Sequence, residues 1–162
     1  MRDTVLQVPS PVVIEMEITI DAPPVAVWKH LVDWENLGRW MTEASDFRLL
    51  SAQREGIGVL AEATIRIGFI RTADSILVNQ WDPPHLLGLE HLGWVKGEGV
   101  MQPTPHDSIT LLRWRETLIG PPIGPWGILG AIGIRLWKPI MRRRFLRDLR
   151  LLKILVEADF TD

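Results

Sequence analysis

From Val12 to Ile20 apolar residues alternate with Val13, Glu15, Glu17 and Thr19. A period of two is the mark of a strand with one buried face. Asp21-Ala22-Pro23-Pro24 follows, and proline in the first turn after an aspartate is a helix-start signal. Val25, Val27, Trp28 and Leu31 then recur at helical spacing. Beyond a bend near Asp33, the residues Trp34, Leu37, Trp40 and Met41 predict a second short helix, weakened by Gly38. Strands are expected at Phe47–Ala52, Val59–Ile67, Arg71–Trp81, Leu86–Leu92, Trp94–Gln102 and Ser108–Leu118, the last being the longest. Turns fall at Glu55–Gly58, Gly68, Asp82–Pro84, Gly93 and Pro103–Asp107. Hairpin spacing without intervening helices argues for an antiparallel meander. After a Gly/Pro loop at Gly120–Pro125, a helical pattern runs from Trp126 to about Ala158. Leu129, Ile132, Leu136 and Ile140 form a stripe that Met141, Phe145, Leu149, Leu152 and Val156 are expected to continue. Pro139 predicts a kink or break.

This order gives an α+β domain: a curved antiparallel sheet wrapped around a long C-terminal helix, with two short helices after the first strand. The helix must bury its stripe, and the inner face of the sheet is the surface available. No repeat or linker divides the chain, so residues 1–162 are read as one domain. Small residues on the inner faces, Ala61, Ala63, Gly97 and Gly99, would leave a gap between sheet and helix.

Composition narrows the function classes. With a formal net charge of -2, nothing in the overall balance favours nucleic acid. No cysteine is present, which removes thiolate and disulfide chemistry and fits the cytosol. No apolar run follows basic residues at the N-terminus, so a signal peptide is not expected and the location is read as cytoplasmic. Leu118–Ile134 carries no charge, but its prolines and glycines argue for a loop leading into a helix rather than a membrane span.

The segments Ile18–Pro24, Val27-Trp28, Trp34–Trp40, Trp81–Pro84 and Leu149–Glu157, in that order and spacing, resemble the START-like or Bet v 1-like superfamily (SRPBCC), which includes the polyketide cyclase/dehydrase-like proteins. The resemblance covers nearly the whole chain. It implies a helix-grip fold with an apolar cavity, occupied in various members by lipids, hormones, quinones or polyketide-like compounds. A minority of members catalyse cyclisation or dehydration. The matching residues are turns, a helix cap at Asp21 and core aromatics, so the resemblance carries over a fold and a cavity but no catalytic residue.

Two polar residues are expected to face that cavity. His91 shares a face with Leu87 and Leu89 by alternation, and a cavity histidine can orient a ligand or transfer a proton. Glu116 shares the face of Thr110, Leu112, Trp114 and Leu118, which makes it an inward carboxylate. The competing readings are a rim histidine bonded to backbone and a strand-end carboxylate paired with arginine. His30 and His106 are expected outside, and His85 follows Pro84 in a turn. No histidine pair has metal-ligand spacing, so no metal is expected, and with no phosphate-binding glycine motif after a strand no cofactor is expected either.

The favoured function is binding or carriage of a small hydrophobic ligand, with Trp28, Ala63, Ile65, Leu89, Met101, Leu112, Trp114, Ile132, Leu136 and Phe145 as lining residues. A cyclase or dehydratase using His91 or Glu116 in the same cavity is the alternative. A third reading is a partner-binding domain using the Gly/Pro loop or the basic face of Arg135, Arg142 to Arg144, Arg147 and Arg150. That face could also touch an anionic membrane surface transiently. The oligomeric state stays open.

Overall fold

In the computed structural model, residues 11–67, 70–93, 95–120 and 126–161 are described, with side chains for all of these except 67, 70 and 126–134. Val12–Ile20 is β1, and it leads into helix α1, Pro24–Leu31. The expected second short helix is a single 3-10 turn at Leu37–Arg39. Six strands follow: β2 Ala44–Leu49, β3 Leu60–Ile67, β4 Ile70–Asp82, β5 Leu86–His91, β6 Lys96–His106 and β7 Ile109–Ile119. Helix α2, Trp126–Thr161, ends the chain. The strands form one antiparallel sheet in the order β1-β7-β6-β5-β4-β3-β2, so chain closure places β1 beside β7. The curved sheet and long helix make a helix-grip, Bet v 1-like fold.

Alternation sets the faces. On β1 Val12, Ile14, Met16 and Ile20 are buried, while Glu15 and Glu17 are exposed. On β7 Thr110, Leu112, Trp114, Glu116 and Leu118 are all buried. These side chains join Leu149, Leu152 and Val156 of α2 and Val27, Trp28 and Leu31 of α1 in one core. Pairs of tryptophans brace it. Trp28 meets Trp81 edge-on at 5.1 Å between ring centroids, and Trp40 meets Trp114 at 6.3 Å. Both separations and tilts suit the aromatic quadrupole.

Several expectations are corrected. Pro103 and Pro105 lie inside β6, so the turn comes later, at Asp107, whose φ is 55°. With 13 residues, β4 is longer than the 11-residue β7. Asp21 does not cap α1: its backbone N–H donates to Glu157 Oε1, 2.7 Å away, and ties the helix entry to the end of α2. Val25 is exposed, and His30 is largely covered, 3.3 Å from Asp159. Gly68, Trp94 and most of the Gly120–Pro125 loop lie outside the described residues.

Pro139 sits within a single continuous α2, which is not broken there. The expected apolar stripe is instead two faces. Between Ile140 and Met141 the pattern advances by one residue, about 100° around a helix of 3.6 residues per turn. Met141, Phe145, Leu149, Leu152 and Val156 therefore face the core, while Leu136 and Ile140 are 69% and 45% exposed. The middle of α2 is fastened by polar contacts. Buried Asp148 accepts hydrogen bonds from the Thr42 hydroxyl (2.6 Å) and backbone N–H (3.3 Å). Burial raises the Asp148 carboxyl, against the lowering effect of those bonds. Arg144 and Arg147 pair with Glu43 beside it.

Candidate functional site

His91 and Glu116 come together on the inner face of the sheet. His91 ends β5 and Glu116 lies on β7, with β6 running between them. Two strand spacings separate such positions by about 10 Å. The contact nevertheless closes to 2.6 Å between His91 Nε2 and Glu116 Oε1. It can close because the intervening β6 positions are glycines: Gly97 pairs with His91 and Leu118, and Gly99 with Leu89 and Glu116. A Cβ on Gly99 would stand 2.7 Å from Glu116 Oε2, and one on Gly97 would stand 1.9 Å from the Thr117 carbonyl oxygen. Gly99 thus opens a window in β6 through which imidazole and carboxylate meet, while the missing Cβ of Gly97 lets β6 approach the Thr117 backbone.

The other ring nitrogen is engaged as well. His91 Nδ1 lies 2.8 Å from Asp74 Oδ2, and Asp74 Oδ1 accepts the Gly93 N–H at 3.0 Å. Glu116 Oε2 accepts the indole N–H of Trp114 at 2.8 Å. The result is a row, Asp74–His91–Glu116–Trp114, drawn from β4, β5 and β7. Asp74 and His91 keep side-chain exposures of 14% and 22%, while Glu116 is buried at 4%. Asp74 was missed in the sequence. Its signal was placement on the β4 face of Ile76 and Val78, two and four residues before them.

Burial works against the charged imidazole, but hydrogen bonds to Asp74 and Glu116, and then their charges, outweigh it and raise His91 to about 10. At neutral pH the ring is therefore an imidazolium donating from both nitrogens. It has no lone pair with which to accept a proton. The two carboxylates approach opposite ring nitrogens, so the three groups do not converge on a point. Among the described residues no cluster could hold a metal ion.

The proposed lining residues divide into three groups. Leu112 (0% exposed) and Met101 (2%) are packed on all sides, as are Trp28, Ala63 and Leu89 to nearly the same degree, so they support the wall from within the core. Trp114 stacks on Phe145 at 4.9 Å, and Phe145 is only half-buried, as is Ile65. Leu136 is on the outer face of α2 and not at the interior, for the reason of phase given above. The Ile132 side chain lies outside those described. Ile76, paired with His91 on the same face and half-buried, was not foreseen.

Residues 11–152 match the family described as polyketide cyclase/dehydrase and lipid transport. The chain belongs to that family. Its fold is shared with many solved structures. A protein of Thermus thermophilus is 20% identical, with a TM-score of 0.76 over 91% of this chain and 99% of that one. The Zhui aromatase/cyclase of a Streptomyces species is 18% identical, with the same TM-score over 91% and 94%. Ara h 8.0201 is 11% identical, with a TM-score of 0.66 over 92% and 99%. Identities this low establish fold alone. No curated protein matches the chain in sequence.

Proposed function

We propose that this family member binds a small hydrophobic ligand, of lipid, quinone or polyketide-like character, between the sheet and α2, with the ligand's polar end toward Asp74 and His91. One observation supports this most. Ile65, Ile76, His91, Met141 and Phe145 all lie on inward faces yet remain only partly buried, whereas Leu112, Leu149 and Leu152 nearby are fully buried. Apolar surface left uncovered on an inward face is where a ligand gains most from burial. The proposed setting is the cytoplasm, which the cysteine-free sequence suits. Among the described residues no helix is long and apolar enough to cross a membrane.

The row of charged groups favours a second reading, a cyclase or dehydratase on the same interior. Its chemistry is constrained: with both nitrogens donating to carboxylates, His91 is not a base, and it can donate to a substrate only by giving up its bond to Asp74 or Glu116. Native mass spectrometry of protein purified without delipidation separates the two readings. A stoichiometric apolar adduct supports carriage. Its reproducible absence, together with turnover of a polyketide-like substrate that His91→Ala and Glu116→Gln abolish, would replace carriage with catalysis.

A further inference from the structure

We infer that the outer face of α2 between Arg135 and Arg143 docks on an anionic lipid surface. Leu136, Trp137 and Ile140 lie within about one turn of each other and are 69%, 41% and 45% exposed. Single exposed apolar residues need no explanation, but three within one turn, with Leu136 and Ile140 opposite the core stripe and Trp137 at its edge, do. Arg135, Lys138, Arg142 and Arg143 flank them and are exposed. None of the four has an acidic partner among the described residues, whereas Arg144 and Arg147, one turn on, are both paired with Glu43.

Charge is segregated as well. Residues 126–147 hold six cations and no acid in a chain of net charge -2, so the rest of the molecule is acidic. An anionic surface would attract this segment and repel the remainder, fixing the orientation. Tryptophan suits the headgroup boundary, with an apolar body and one N–H donor, and leucine and isoleucine suit the depth just below. A second copy of the chain fits poorly, because a two-fold contact through this face would set its cations against themselves. The inference does not depend on what the interior binds.

Flotation with vesicles of phosphatidylcholine, alone or mixed with phosphatidylglycerol, tests this on the full chain. Binding is expected only with phosphatidylglycerol and is expected to weaken with salt. Arg142→Gln with Arg143→Gln should lower it about thirtyfold, at roughly tenfold or less per cation. Leu136→Ser with Trp137→Ser should lower it at least about tenfold by removing the inserted apolar surface. Arg113→Gln with Arg115→Gln, on the outer face of β7, should leave it unchanged. All positions are exposed, so thermal melting should match the wild type. Equal binding to both vesicle types, wild-type binding by either α2 variant, or equal affinity for soluble polyglutamate would overturn the inference.

Discussion

His91→Gln removes the imidazolium that joins Asp74 to Glu116, and its effect should be read on the alkaline side of neutrality. His91 is raised from 6.5 in the unfolded chain to about 10 in the folded one. A group raised in this way stabilises the fold fully below its unfolded value, and that contribution is lost as pH rises through the folded value. Between the two, the folded protein holds one more proton than the unfolded one, so wild-type stability falls by about 1.4 kcal/mol per pH unit from this group. Across the window the loss amounts to about 5 kcal/mol. A domain of this size has about 5–15 kcal/mol in all, so the effect is large enough to measure. Urea midpoints of wild type and variant would be followed from about pH 7 to about pH 10. Lysines and other alkaline groups are common to both proteins and cancel in the difference. The wild-type advantage should shrink steadily and be gone above about pH 10. Parallel profiles would refute the charged, doubly donating ring, and so would nitrogen NMR at neutral pH showing one unprotonated ring nitrogen.

Two substitutions probe the parts that hold this arrangement. Gly99→Ala places a methyl 2.7 Å from Glu116 Oε2, so the carboxylate must leave either His91 or Trp114. A loss of about 1–3 kcal/mol in thermal or urea unfolding is expected, and unchanged stability would show that the window is not needed. Asp148→Ala removes the acceptor for the Thr42 hydroxyl and N–H and should cost about 1–3 kcal/mol, read as increased hydrogen exchange at the Thr42 amide. Retained protection there would mean that α2 is held by packing alone.

Much of this was legible in the sequence. Alternation along β5 and β7 placed His91 and Glu116 on inner faces, because one buried sheet face forces every second side chain inward. Their meeting was not legible, since it depends on which β6 residues stand between them. Gly97 and Gly99 could be read only as weak points or space, until register set them opposite His91 and Glu116. Asp74 was hidden for a related reason: its distance from His91 is fixed by the β4–β5 pairing, which is shifted by an irregularity between Val78 and Gln80. On α2 the change of phase at Ile140–Met141 was present in the spacing, but apolar content on both sides concealed it.

The clasp of Thr42 and Glu43 on Asp148, Arg144 and Arg147 divides the mechanics of α2. On its far side Leu149, Leu152 and Val156 are sealed in the core, and separating them from β1 and α1 means unfolding the domain. On its near side Arg135 to Ile140 have no comparable hold among the described residues, and Met141 and Phe145 are only partly covered. Under the proposed carrier function, lifting residues 135–145, none of whose side chains is fully buried, would admit a guest without opening the sealed core and so without lowering the melting temperature. The clasp works as a fulcrum: strength can be tuned on one side of it and rate of access on the other, by different residues of the same helix.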